Sequence, residues 1–237
     1  MMAKYPDECI QNLIDSDWWE EYTGPEFRPG RLIWAFLPYI DQKPFTLLPV
    51  SRGGKNGTEH EKALFKLHPL DIKQVIRYPR LPLAALPNRD KEVWTVYRAK
   101  RRPALIIGKS GRQVDKKFRK GKAEYQTKLT VLVAPSYGAD ESRRSGYTPE
   151  LIARIQRCEY PQFIWDILPI HSQTKESIIR LDQLQPVGKS TDSIEFTNYC
   201  LTEEALGLVY EWMEWLMTGQ VDEDSLFNEY REFLRSL

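Results

Sequence analysis

No stretch of this chain reaches the roughly 18 consecutive apolar residues that a membrane-spanning helix needs. Its start, Met-Met-Ala-Lys-Tyr-Pro-Asp-Glu, lacks the charged-then-apolar pattern of an export signal. These two absences point to a soluble, cytoplasmic protein. Cysteine is scarce as well: Cys9, Cys158 and Cys200 are odd in number and widely spaced. A disulfide framework or a zinc site needs tighter pairs, so we expect three reduced thiols. Three histidines, His60, His68 and His171, show no metal-ligand spacing, and no metal or cofactor is expected. Charge of one sign is missing too. With 34 Lys and Arg against 33 Asp and Glu, the net charge is +1, so any nucleic-acid contact has to come from local clustering. No internal repeat is present.

What the chain does have is apolar and aromatic material, 41% and 12% of its 237 residues, enough for one core and too much for disorder. Residues 6–22 space Cys9, Ile10, Leu13, Ile14, Trp18 and Trp19 as an amphipathic helix does, which makes residues 1–28 a helical extension. Arg31-Leu32-Ile33-Trp34-Ala35-Phe36-Leu37 reads as a buried strand ended by Pro38. From residue 39 to 91 prolines and a Gly53-Gly54-Lys55-Asn56-Gly57 turn break the pattern. This segment reads as an ordered insertion of short strands or helical turns without a core of its own. Strands then follow at 93–97, 103–108, 129–134, 163–168, 177–181 and 193–200, with a helix over 148–157. Thr202 is a helix N-cap and Gly219 a stop, and a last helix spans 222–237. The pattern predicts a mainly β fold with peripheral helices, a small β-barrel with helices packed outside it.

Four segments, in order, resemble the MazF/PemK family of toxin endoribonucleases. Pro29-Gly30-Arg31-Leu32-Ile33-Trp34-Ala35-Phe36 is similar to that family's opening strand, and Lys100-Arg101-Arg102-Pro103-Ala104-Leu105-Ile106-Ile107 to its Arg-Arg-Pro-Ala-Leu strand. Leu132-Val133-Ala134-Pro135-Ser136 matches the strand ending in proline and a small polar residue. Ser177-Ile178-Ile179-Arg180-Leu181-Asp182-Gln183 matches the strand carrying Arg-x-Asp-Gln, and the 202–219 helix sits where the family's closing helix sits. The resemblance implies an SH3-like barrel over 29–219, interrupted by the 39–91 insertion and followed by an extra helix at 220–237. It also implies a homodimer, a metal-independent endoribonuclease acting on single-stranded RNA, and a cognate antitoxin as partner.

Metal-free RNA cleavage needs a base for the 2′-hydroxyl, an acid for the departing 5′-oxygen, and cations for the phosphate. Arg180 and Asp182, two apart on a strand, leave the same face about 7 Å apart. By resemblance Asp182 is the base and Arg180 the acid or phosphate clamp; the same spacing also suits a surface ion pair at a barrel edge. Arg102, before Pro103, matches a phosphate-binding or catalytic arginine. The family's hydroxyl falls just past the proline, where Ser136 serves with a one-residue shift or Tyr137 offers a phenol. The stretch 109–128 carries Lys109, Arg112, Lys116, Lys117, Arg119, Lys120, Lys122 and Lys128 against Asp115 and Glu124, with Phe118 and Tyr125 interspersed. It can neutralise phosphates and stack bases, or be a solvated loop. Two other functions stay open: a MazF-fold interaction or regulatory module without catalysis, whose partner site the insertion supplies, and nucleic-acid binding without cleavage.

Overall fold

In the computed structural model, described for residues 4–53, 59–71, 73, 92–109, 111–123, 126–139, 146–170, 175–189 and 192–237, short apolar runs bounded by Gly and Pro become strands. The side chains of residues 52, 53, 59–61 and 109 fall outside that description. The chain divides into two compact units, Met1–Leu37 with Arg101–Leu237, and Pro38–Lys100.

The first unit is built on one curled antiparallel sheet. Its strands are β1 (Trp19–Glu21), β2 (Arg31–Pro38), β6 (Ala99–Lys109), β7 (Thr130–Gly138), β8 (Phe163–Ile167), β9 (Glu176–Arg180), β10 (Gln185–Gly188) and β11 (Ile194–Leu201). They run in the order β1-β11-β2-β6-β7-β9-β8, with β10 on β7. Alternation splits the side chains between the two faces. Leu32, Leu105, Ala134 and Ile179 meet Trp212 in the largest core cluster, whereas Ile33, Ala104, Ile106 and Val133 form a second on the opposite face. A third cluster gathers Ile152 and Ile155 against Trp165 and Ile178. Gly30 opens β2 at φ 81°, donating to the Ile106 carbonyl and accepting from Leu201 N–H at 2.8 Å. A Cβ there would sit 3.3 Å from that of Leu201, so glycine suits both the backbone conformation and the close approach.

Among the described residues the strands are accompanied by the α-helices α1 (Lys116–Arg119), α2 (Pro149–Gln156), α3 (Glu203–Thr218) and α4 (Leu226–Ser236). Thr202 caps α3 by accepting from Ala205 N–H, and Gly219 ends it in the left-handed region, as their residue types predict. The α3 face that carries Leu208, Val209, Trp212 and Trp215 is buried, each such side chain contributing roughly 1.5–3 kcal/mol. Phe227 of α4 packs on Trp212 and Trp215 at ring distances of 5.0 and 5.9 Å, so the last helix covers the tryptophan face of α3.

The N-terminal segment differs from the expected helix. Among the described residues of this segment only Ile10–Asn12 is helical, as a 3-10 helix, and Trp19 is already paired with Leu201 in β1. Tertiary burial wins over local spacing here, because Trp18 and Trp19 both bury their indoles and give both N–H groups to one buried carboxylate. Cys9, Cys158 and Cys200 are buried free thiols. Burial raises the Cys9 pKa to about 11 and pushes those of the other two up as well.

The second unit is a three-stranded sheet of β3 (Phe45–Gly53), β4 (Glu59–Pro69) and β5 (Thr95–Val96), ordered β4-β3-β5. Within the segment expected at 39–91 to hold short strands or helical turns, residues 45–53 and 59–69 form two long paired strands, and residues 74–91 lie outside the described ones. Register shifts beside Pro49 and after Arg52 let the strands continue past a residue that cannot donate to the ladder. Pairing places Phe45, Leu47, Phe65 and Leu67 on one face, yet among the described residues none of this unit joins a core cluster.

Candidate functional site

Pro135 determines where the sheet turns a corner. Before it, Val133 pairs with Gln185 of β10; after it, Ser136 pairs with Ile179 of β9. A proline has no N–H to give, and the partner on that edge of β7 changes across it. Between the two partner strands the chain makes a 3-10 turn, Leu181–Gln183, with Leu181 buried as its anchor. The expected strand therefore stops at Arg180, and Asp182 and Gln183 lie on a turn at the corner.

That turn closes Arg180 onto Asp182. The Arg180 Nε donates to Oδ1 at 2.7 Å and Nη2 to Oδ2 at 2.6 Å, a fork-to-fork pair in place of two side chains about 7 Å apart. The hydrogen bond to Asp182 raises the Arg180 pKa above its usual value against the opposing effect of burial. The guanidinium also lies 4.8 Å from the centre of the Phe163 ring. Across β7, Arg102 is 6% exposed and its guanidinium stands over the Tyr137 ring at 4.1 Å. The Tyr137 hydroxyl donates to Gln183 Oε1 at 2.5 Å. Arg102, Tyr137 and Gln183 are thus linked through β6, β7 and the turn after β9, and Gln183 follows Asp182, the partner of Arg180, on that turn.

Ser136 is not among them. It stands opposite Ile179, and strand alternation turns it to the face of Ala134 and Leu105, away from Tyr137 and Arg102. It is 3% exposed, and its Oγ has no hydrogen-bond partner among the described residues. Of the two hydroxyls the sequence offers, the one beside the arginines is Tyr137. In the basic stretch, Arg112, Lys116, Lys117, Lys120 and Lys122 are exposed, and Arg119 is half-buried. The helix α1 is a single turn, and Lys117 lies 4.8 Å from the ring of Phe118, which is exposed. The Lys109 and His60 side chains, Glu124, Tyr125 and His171 lie outside the described residues. Arg101 belongs elsewhere: it pairs with Glu195 and stacks on Trp34.

A second polar centre escaped the sequence reading. Asp166 of β8 is fully buried and holds three donors from the N-terminal segment: Tyr5 Oη at 2.7 Å, Trp19 Nε1 at 3.2 Å and Trp18 Nε1 at 3.3 Å. Burial, opposed by these hydrogen bonds, raises its pKa to about 6. Gln11 reinforces the contact by donating to the Trp165 carbonyl at 2.5 Å. Beside this segment lies a cleft of about 440 Å³ lined by residues including Tyr5, Trp19, Glu20 and Tyr199. The available signal was an Asp inside an otherwise apolar strand, together with two adjacent tryptophans that no single helix face can bury.

Among the described residues no group of three or more His, Cys, Asp or Glu side chains is placed to hold a metal ion, and no helix is long and apolar enough to cross a membrane. No protein-family model matches the chain, and no curated protein matches it.

Proposed function

We propose that this chain is a MazF/PemK-like endoribonuclease that cleaves single-stranded RNA without a metal and is held in check by an antitoxin. The observation that carries the reading is the corner group. The Arg102–Tyr137 pair on β6 and β7 and the Arg180–Asp182 pair at the end of β9 and the turn after it occupy the positions to which the resemblance assigns the family's phosphate site. In this mechanism Asp182 accepts the 2′-hydroxyl proton, the 2′-oxygen attacks phosphorus, and the 5′-oxygen leaves with a proton from Tyr137. The products are a 2′,3′-cyclic phosphate and a 5′-hydroxyl. Arg180, whose pKa the Asp182 contact raises, acts as the clamp on phosphate oxygens, and Arg102 adds a second cation. The exposed lysines of the 109–128 stretch extend the basic surface.

Purified protein incubated with single-stranded RNA and a chelator is expected to yield cyclic-phosphate ends, with Arg180→Ala and Arg102→Ala each slowing cleavage by roughly 100-fold or more. No cleavage by the wild type, together with no growth arrest on expression, would sink the reading. One observation favours a second reading, a MazF-fold interaction module: both Asp182 oxygens are already engaged by Arg180. Salt-dependent RNA binding with no product, or a stable protein complex that leaves RNA intact, would select it.

A further inference from the structure

The corner does not end at Arg180. Phe163, beneath the Arg180 guanidinium, meets Tyr147 edge-on at 6.4 Å and Tyr160 at 6.0 Å. Arg154, on α2, stands over Tyr160 at 5.0 Å. All three rings are half-buried and pack on the cluster of Ile152, Ile155 and Trp165, Phe163 from β8 and Tyr147 and Tyr160 from the segments flanking α2. Arg180, Phe163, Tyr160 and Arg154 therefore follow one another, with Tyr147 on the side of Phe163, and one carboxylate stands beside each cation, Asp182 on Arg180 and Glu159 on Arg154. Rings flanked by a guanidinium at each end suit an unpaired strand, because each nucleotide offers a phosphate to a cation and a π-face to a ring. A duplex has no free base faces to offer. The 109–128 stretch supplies more charge, but its one exposed described ring, Phe118, is on a single helical turn.

We infer that the RNA strand leaves the corner across Phe163, Tyr147 and Tyr160 and places a phosphate on Arg154, so that the substrate is an unpaired strand several nucleotides long. This rests on the reading of the corner as an RNA site. Glu159 then competes with that phosphate, since it holds the Arg154 Nε at 2.6 Å. Removing the carboxylate and removing the arginine must act in opposite directions.

The test is fluorescence anisotropy with 2′-O-methyl RNA, which the protein cannot cleave, in lengths of about 4 and about 12 nucleotides. Salt is varied between about 50 and 200 mM. For the longer strand, Arg154→Ala is expected to weaken binding about three- to tenfold and to lower the salt slope by about 0.7, one phosphate's worth. Glu159→Gln is expected to strengthen binding of that strand, an effect that a merely structural role for the Arg154–Glu159 pair does not produce. The shorter strand, confined to the corner, is expected to bind all three proteins alike. If both variants bind the longer strand as the wild type does, or if a duplex of that length binds equally well, the inference fails while the corner reading survives. If the wild type binds neither length, the corner reading fails and the inference with it.

Discussion

Two carboxylates on neighbouring strands have opposite surroundings. Asp166, midway along β8, is fully buried and is held by neutral donors, among them a phenol and two indoles. Asp182, just past the end of β9, has a side chain 33% exposed and is held by a guanidinium. The first links residues 5, 18 and 19 to the sheet, so its contacts act on stability. The second shares its charge with an arginine that faces an accessible corner, so its contacts act on what the corner can bind. Burial with neutral partners makes an expensive and immovable group; partial exposure with a charged partner makes one that a ligand can compete for.

The largest expected effect lies on the buried side. Asp166→Ala leaves the Tyr5 hydroxyl and two indole N–H groups without this acceptor, and each buried unsatisfied donor costs on the order of 1–3 kcal/mol. Denaturant titration is expected to show a loss of about 3–5 kcal/mol. A loss below about 1 kcal/mol would mean that the N-terminal segment is not held by this residue.

The next effect has an unusual sign. Most carboxylates stabilised by their partners lose that contribution as pH falls. The pKa of Asp166 is raised, from 3.8 to about 6, so the folded protein binds its proton more tightly than the unfolded chain does. Its contribution is fully present below the unfolded value and is lost as pH rises through about 6. The shift corresponds to roughly 3 kcal/mol. Asp166→Asn does not titrate, so the stability difference between wild type and variant isolates the effect from other acids. We expect the variant's deficit to be larger at pH 4 than at pH 7; a deficit that stays constant across that range would remove the argument.

The contrast between these two sites explains what could be seen in the sequence. Strands such as β2 and β6 were visible because they are runs of apolar residues closed by Gly or Pro, and α3 because Thr202 and Gly219 mark its ends. These are local signals. The Tyr5, Trp18, Trp19 and Asp166 contacts join residues about 150 positions apart, and the same tryptophans at helix-like spacing predicted a helix. The β3–β4 hairpin was hidden by Pro44, Pro49 and Pro69, which look like breaks; Pro44 and Pro69 flank or end the strands, and a register shift accommodates Pro49. At the corner the residue types Arg102, Arg180 and Asp182 were legible, but the fork-to-fork pair was not. It depends on a 3-10 turn set by where β7 changes partner. The choice between Ser136 and Tyr137 is one step along a strand, and one step reverses the face.

The smallest expected effect falls on the exposed side, and it is the one that sharpens the contrast most. The Arg180–Asp182 pair has good geometry, with two bonds at 2.7 and 2.6 Å, but both side chains reach solvent, at 21% and 33% exposure. Such pairs contribute about 0–1 kcal/mol, since water already solvates each charge in the unfolded chain. Asp182→Asn is therefore expected to unfold within about 1 kcal/mol of wild type while freeing the Arg180 fork. Binding of uncleavable single-stranded RNA is expected to tighten as the competing charge disappears, even as cleavage, which needs the carboxylate as base, is lost. Opposite movements of binding and cleavage at unchanged stability would place Asp182 on the functional side of the comparison. A loss of stability as large as that of Asp166→Ala would show that the corner carboxylate, too, is there to hold the fold.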